Sequence, residues 1–345
     1  MAPPSKLTVA LSAVTPLFLG GADPNEYAEL RPPSFKGLLR YWYRALDGEY
    51  AALDGEYATR EARLFGSTEA GQSPCLLRVS EWQVGRIRWD RNRYTQPVNR
   101  GGFQRGGRPP ENGIVYLGYS LVLGDNDRRA IPTSPSAFTL EVQPRPGCDT
   151  PEVRRAWLAS LWLLVHVGGV GSRSRRGLGS LRIEGWEGWP DCGDLPLPSQ
   201  AATPEDWQSQ IGSGLLTLRR WFPTLPGNDH TIVAPGVRLL VLRQGFDSWE
   251  RALDDAGLRL QRFRRGVKVA ERVGFGLPLT VVSQERMASP LFMRVLRLGH
   301  SYHLAFLFLP APLPDLDGVR WPDNTRQVVQ DFLDEQQPDA VEVRL

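Results

Sequence analysis

A glycine-rich segment offers the most suggestive chemistry in this sequence of 345 residues. It reads GGVGSRSRRGLG over residues 168–179, with no acidic residue. Glycines such as Gly169 and Gly171 let backbone amides approach an anion closely, and guanidinium groups bind phosphate oxygens in pairs. Since the lysine and spacing of a P-loop are missing, we predict a different phosphate-binding loop. Its arginines Arg173, Arg175 and Arg176 are expected outside the core, and the alternative is a plain connection between a helix and a strand.

A second candidate is the segment ELRPPSFKGLLRYWYR, residues 29–44. Lys36, Arg40 and Arg44 recur at every fourth position, which places them on one stripe of a helix. The hydroxyl of Ser34, the positive end of that helix and Lys36 could converge on a phosphate. The alternative is a solvated helix face whose apolar residues lie in the core.

Two further stretches are basic. Residues 85–110 contain seven arginines against one acid, with aromatic residues between them. This composition suits single-stranded RNA through phosphate pairing and base stacking, although it also suits a mobile hairpin. The second stretch is expected to be a solvated face and contains Arg262, Arg264, Arg265, Lys268 and Arg272.

Signals for catalysis and metal binding are weak. The four histidines form no recognisable ligand pattern, and Cys75, Cys148 and Cys192 are far apart and odd in number. This spacing argues against a disulfide framework and a zinc cage. We therefore expect no catalytic residue, no metal, no cofactor and a cytoplasmic location.

The elements that would position these residues follow a β-α-β-β-α-β order in the first half, which is the ferredoxin-like plan. Apolar alternation predicts the strands and capping signals predict the helices. The predicted strands cover 6–16, 75–82, 115–123 and 178–183, with 138–142 as an extension, and the predicted helices begin near Phe35 and at Thr150-Pro151.

Residues 187–204 are rich in proline and lack periodicity, as in a domain linker. Beyond them, a weaker alternation of helices and strands again approximates β-α-β-β-α-β. We therefore predict an α+β fold with two tandem ferredoxin-like (RRM-like) domains, residues 1–186 and 205–345.

Composition permits this reading. The net charge of +3 is small for a nucleic-acid binder, but local basic patches can act where the total is nearly balanced. The N-terminus alternates like a strand rather than a signal peptide. We expect no membrane association, because no stretch is long and apolar enough to span a bilayer.

These segments resemble the RAMP proteins of CRISPR systems, and within them the family of first-numbered subunits of the type III-B (Cmr) effector complex. The resemblance is carried by TPLFLGGAD (15–23), ELRPPSFKGLLRYWYRAL (29–46), LFGS (64–67), GGVGSRSRRGLGSL (168–181) and SPLFMRV (289–295). It implies two ferredoxin-like domains and a non-catalytic RNA-binding role in antiviral defence. The implied partners are guide RNA near its 3′ region, target RNA and other RAMP subunits.

The resemblance also implies particular site residues. The matching positions are Ser34, Lys36, Arg40, Gly169, Gly171, Ser172, Arg173, Arg175 and Arg176. Catalytic RAMP proteins place an aspartate after the first strand, so the alternative is an endoribonuclease that uses Asp23. A turn residue before Pro24 is the simpler interpretation of Asp23. The direct repeat of ALDGEYA (45–51, 52–58) departs from the family pattern and is expected to lengthen a helix or form a surface loop.

Overall fold

The computed structural model describes residues 5–21, 23, 26–53, 58–89, 112–118, 121, 128–134, 136–227, 231–276, 287–313, 321 and 324–344. These residues form a mixed α/β fold built on two four-stranded antiparallel sheets, which confirms the predicted fold class at this level. No helix in this part of the chain is both long and apolar enough to cross a membrane.

The first half begins with a strand and ends with one. Its elements are β1 (Leu7–Ala13), α1 (Pro32–Leu46), α2 (Arg60–Phe65), β2 (Cys75–Val84), β3 (Ile87–Arg88), α3 (Gly113–Leu117), β4 (Arg129–Ala130), β5 (Ser136–Pro144), α4 (Pro151–His166) and β6 (Leu181–Glu187). The start of α4 follows the predicted signal, because Thr150 accepts a hydrogen bond from the Val153 N–H and Pro151 occupies the first turn.

The first sheet has the strand order β2-β5-β1-β6, and each pair is antiparallel. Side chains of β1 alternate, so that Leu7, Val9 and Leu11 are buried while the residues between them are partly exposed. The buried face joins α1 and α4 in one hydrophobic core. One face of this sheet therefore packs on helices, as its period of two predicts.

The second half repeats the pattern after a long helix. Its elements are α5 (Pro204–Trp221), β7 (Arg238–Phe246), α6 (Trp249–Gly266), β8 (Leu291–Leu298), β9 (Ser301–Phe308), α7 (Gln327–Gln336) and β10 (Ala340–Arg344). The strand order is β10-β7-β9-β8. Met293 and Val295 of β8 face the core that contains α6 and α7, whereas Phe292 and Leu296 belong to the core of the first half. The second sheet thus packs against both halves.

One predicted strand is wrong. Residues 115–123 were expected to be extended, but α3 covers Gly113–Leu117, and β5 supplies the third strand of the sheet. Asn112 caps α3 by accepting the Val115 N–H at 3.0 Å, and a Cβ on Gly113 would lie 1.8 Å from the Asp254 carbonyl oxygen. Close packing on α6 therefore overrides the strand preference of the β-branched residues in this segment.

The predicted linker, residues 187–204, is folded onto the core. It contains two 3-10 turns, Pro190–Asp194 and Pro198–Gln200. Trp189 and Leu195 are buried in the core of the first half. The proline-rich composition therefore produces an ordered connection.

The repeated ALDGEYA segment does not extend α1. That helix ends at Leu46, so the first copy starts in its last turn and continues as turns. Residues 54–57 of the second copy lie outside the described residues.

Candidate nucleic-acid interface

The glycine-rich segment forms a series of tight turns between α4 and β6. A Cβ on Gly168 would lie 2.4 Å from Nε1 of Trp42. Gly171 has a φ of +80°, and a Cβ there would lie 2.5 Å from the Phe18 carbonyl oxygen. Gly169 is less constrained, with its nearest neighbours 3.2 Å from an added Cβ. Glycine is therefore needed here for close approach within the protein itself.

Ser172 and Arg173 form the tip of the loop. Ser172 is exposed, and its backbone N–H donates to the Phe18 carbonyl at 2.9 Å. Arg173 has a φ of +63° and is the one non-glycine residue with positive φ in the described part of the chain. This conformation costs an L-residue about 1–2 kcal/mol, and such strain concentrates at functional sites. The fold thus holds an arginine in a strained conformation beside an exposed serine.

Arg175 points into the protein. Its Nη2 donates to the Tyr41 hydroxyl at 2.7 Å, and its Nη1 donates to the Ser289 carbonyl. The guanidinium also lies 4.4 Å from the ring centroid of Phe292. Burial lowers the pKa of Arg175. The expectation that this side chain lies outside the core is wrong, because protein groups from both halves surround it.

Arg176 is also turned inward, and it meets an arginine from the second half. Its Nη2 donates to the Phe275 carbonyl at 2.8 Å, while the buried Nη1 has no acceptor among the described residues. Burial, followed by the charge of Arg264, lowers the pKa of Arg176 to about 10. Arg264 is partly buried and lies on α6 four residues after buried Leu260, and this spacing is the signal that could have separated it from its solvated neighbours.

The loop also covers the edge of the second sheet. The Met293 N–H of β8 donates to the Arg175 carbonyl at 3.2 Å, and the Val295 N–H donates to Ser180 Oγ at 3.3 Å. An uncovered edge strand would present unpaired backbone groups. The glycine-rich loop therefore joins the two halves in addition to exposing Ser172 at its tip, where Arg173 is partly buried.

The predicted basic stripe of α1 is largely neutralised. Arg40 Nε lies 2.5 Å from one oxygen of Glu61, and Arg44 Nε lies 2.7 Å from the other. Burial opposes ionisation of Glu61, but hydrogen bonds from Arg44 and Arg40 outweigh it and hold the pKa of Glu61 below its ordinary value. Spacing along α1 could not reveal this partner, because Glu61 lies on α2.

Lys36 keeps its charge available. It is partly exposed and makes no hydrogen bond or ion pair with the described residues. Partial burial, followed by the charges of Arg40 and Arg145, lowers its pKa. Arg145 follows β5, and its Nε donates to the Ser73 carbonyl at 2.9 Å. Lys36 and Arg145 thus form a basic patch that the sequence did not reveal.

The anion site predicted at the start of α1 is not formed. Pro32 and Pro33 occupy the first positions and have no N–H. The N–H groups of Ser34 and Phe35 donate to the Arg31 carbonyl at 3.0 and 3.4 Å. Since residues two apart point to different sides of a helix, Ser34 and Lys36 do not converge.

The two other basic stretches have different outcomes. Of residues 85–110, the structure describes 85–89, where Arg86 donates to the Ala28 carbonyl at 2.7 Å and Trp89 is buried against Phe18. Residues 90–110 lie outside the described residues, so their RNA contacts stay a prediction. In the second stretch Lys268 is 87% exposed, as expected of a solvated face, whereas Arg264 is not exposed and its Nε is buried.

Asp23 lies in a turn, and two of the four histidines, His166 and His303, are buried. The Asp23 carbonyl accepts the N–H groups of Glu26 and Tyr27, at 3.2 and 2.9 Å, which makes Asp23 a turn residue. His166 and His303 are buried, and burial raises the pKa of Cys75 to about 12. Within the described part of the chain, no group of three or more histidine, cysteine and carboxylate side chains could hold a metal.

Comparison with known proteins relates the chain to one superfamily. Residues 10–182 match the RAMP superfamily. The Cmr subunit Cmr1-1 of a Pyrococcus furiosus CRISPR system is 26% identical over 304 residues, which are 84% of this chain and 82% of that protein. The subunit Cmr1-2 of the same organism is 28% identical over 189 residues, covering 50% of this chain and 92% of that protein.

Solved structures share the fold. The crystal structure of Cmr1 from Pyrococcus furiosus in its apo form superimposes with a TM-score of 0.67 and 21% identity, covering 98% of both chains. A chain of the type III-B Cmr-beta complex bound to cognate target RNA and AMPPnP gives a TM-score of 0.57 and 14% identity, covering 96% of this chain and 99% of that one.

Proposed function

The chain belongs to the RAMP superfamily, and from this membership we propose that it is a non-catalytic RNA-binding subunit of a type III-B CRISPR effector complex. It would hold the guide and target RNA backbone near the 3′ end of the guide and contact other RAMP subunits in the cytoplasm. The curated relatives support this assignment by their names as Cmr subunits. A neighbour in fold belongs to a complex bound to target RNA.

The strained tip of the glycine-rich loop carries the proposal. Arg173 keeps a positive φ beside exposed Ser172, although glycine would adopt this conformation without cost. A charged side chain held there can contact a phosphate, and phosphate contacts position RNA without reading its sequence. Arg175 and Arg176 would support the tip from behind through their contacts with the second half.

The Lys36 and Arg145 patch would supply a second backbone contact. Two like charges repel each other, and an incoming phosphate would relieve that repulsion. Lys36 also has no intrachain ion pair or hydrogen bond to break in the described part of the chain. Arg40 and Arg44 would contribute less, since Glu61 already binds both.

We further propose that the halves are two tandem ferredoxin-like domains, residues 1–186 and 205–345, with 187–204 between them. In each half the fourth strand pairs with the first, the first with the third and the third with the second. Helices follow the first and third of these strands in both halves. The shared strand order supports this division into two domains. Similarity of residues between the two halves did not suggest it.

The rival function is an endoribonuclease that uses Asp23. The position of Asp23 in a turn favours a structural role for this residue. In the proposed function, sequence specificity would come from base pairing between guide and target.

Incubation of the purified chain with two unrelated single-stranded RNAs, in magnesium and in EDTA, tests the proposal. We expect both RNAs to bind with similar affinity and to stay intact. Cleavage that is abolished by Asp23→Ala would establish the rival function. If wild type and the double variant Lys36→Ala/Arg173→Gly bound RNA with the same affinity, the proposed interface would be refuted.

A further inference from the structure

A small cavity lies where β8 of the second half meets the end of α4 and the start of β6. Arg294, His166 and Ser199 line it, with apolar side chains around them. The ionisable side chains among its described lining residues are Arg182, Arg294, Arg297 and His166, and none of these is an acid. The space suits a particle about the size of a water molecule and is too small for a phosphate group.

Arg294 brings a positive charge into this cavity, and no acid among the described lining residues neutralises it. The residue is 1% exposed and sits in the middle of β8. Its Nη2 donates to the Val165 carbonyl at 2.6 Å and to the Leu181 carbonyl at 3.2 Å. Its Nε and Nη1 are buried, and no acceptor among the described residues lies within hydrogen-bond distance of them. Burial lowers the pKa of Arg294 to about 9, so the group is still charged at neutral pH.

His166 contributes a third unpartnered nitrogen. The residue is 2% exposed, and its Nδ1 lies 2.9 Å from the Trp162 carbonyl. Nδ1 must therefore donate, which leaves a lone pair on the buried Nε2. Burial and the charge of Arg294 lower the pKa of His166 to about 3, so His166 does not add a second positive charge.

We propose that this cavity is a binding site for one small inorganic anion of chloride size, held by the Nε–H and Nη1–H groups of Arg294. A buried cation is costly unless an opposite charge accompanies it. An anion satisfies both free donors and the charge, whereas a water molecule could also donate to the His166 Nε2 lone pair but would leave the charge of Arg294 without a counter-ion. Arg297 and Arg182 add positive charge, although Glu184 pairs with Arg182 at 3.2 Å.

Such an anion would stabilise the contact between the two halves. Arg294 comes from the second sheet, while the carbonyls that orient it belong to α4 and β6 of the first half. The site exists only when these elements are packed together. Chloride should consequently stabilise the folded chain independently of RNA.

Thermal unfolding in sodium chloride and in sodium gluconate of equal ionic strength tests the site. Above the dissociation constant, each tenfold increase in chloride should raise the melting temperature by about 2 °C. Arg294→Met should abolish this rise, and Arg251→Ala, which removes an exposed arginine of α6, should retain it. An equal rise in gluconate, or a rise that persists in Arg294→Met, would refute the site.

A crystal grown in sodium bromide gives a measurement that needs no variant. Anomalous density in contact with Arg294 Nε and Nη1 is expected. An ordered water at that position, without bromide, would show that the cavity is merely hydrated and would overturn the proposal even if Arg294→Met failed to fold.

Discussion

Replacing Arg175 by alanine should destabilise the folded chain. The substitution removes hydrogen bonds to the Tyr41 hydroxyl and the Ser289 carbonyl. It also removes a guanidinium that lies 4.4 Å from the Phe292 ring centroid and 5.5 Å from that of Tyr41. These groups come from both halves, so the loss should appear in the unfolding of the whole chain.

The magnitude follows from these contacts. Each hydrogen bond to a charged group contributes about 1.5–3 kcal/mol, and each cation–π contact contributes about 0.5–1 kcal/mol. Burial of the guanidinium opposes them, as the lowered pKa of Arg175 shows. We therefore expect a net loss of about 2–3 kcal/mol, or roughly 3–4 °C in melting temperature for a chain of this length.

Urea unfolding followed by tryptophan fluorescence measures this loss. Arg251→Ala is the matched control, because Arg251 is 65% exposed and its ion pair with Asp247 is equally exposed. Surface pairs of this kind contribute about 0–1 kcal/mol. If Arg175→Ala unfolded like wild type while its RNA affinity fell tenfold, the guanidinium would face RNA rather than the protein, and the inward geometry would be refuted.

Three further outcomes follow from the structure. Arg173→Gly should weaken RNA binding in fluorescence anisotropy yet leave stability unchanged or raise it by up to about 1 kcal/mol, because glycine relieves the positive φ; a clear destabilisation would contradict this. Glu61→Gln should destabilise the folded chain by about 1–3 kcal/mol at pH 7. Because the pKa of Glu61 in the folded chain lies below its ordinary value, this stabilisation is present above about pH 4.5 and is lost as the pH falls through the folded-state pKa. Urea titrations that show the same difference in unfolding free energy between wild type and Glu61→Gln at pH 7 and at pH 3 would argue against this. The pKa of His166 in the folded chain is lowered to about 3, so at pH values below about 6.5 only the unfolded chain binds this proton. Wild type should therefore lose about 1.6 kcal/mol of stability between pH 6.5 and pH 5, and His166→Gln should not. Parallel pH profiles would count against that assignment.

Local signals predicted much of the fold. Thr150-Pro151 started α4 as predicted, and the alternation in β1 produced a half-buried strand. The error at 115–123 arose because the decisive contact is distant in sequence, between Gly113 and the Asp254 carbonyl of α6. Strand preference is a weak signal when a helix elsewhere requires close packing.

The candidate site was harder to predict. Sequence spacing placed Lys36, Arg40 and Arg44 on one stripe, but it could not show that Glu61 on another helix binds two of them. Composition likewise identified the glycine-rich loop without showing which arginines turn inward. The partners of Arg175 lie in α1 and beside β8, so their contact depends on how the two halves pack.

The dependence of RNA affinity on salt tests the central claim most directly. Wild type and Lys36→Ala/Arg173→Gly would be titrated with two unrelated single-stranded RNAs across a salt series, with Arg251→Ala as control. Each lost phosphate contact should reduce the slope of log affinity against log salt by about 0.7, so we expect the double variant to lose about 1.4 on both RNAs. A double variant with the wild-type slope, or a loss confined to one RNA sequence, would contradict backbone binding at these residues.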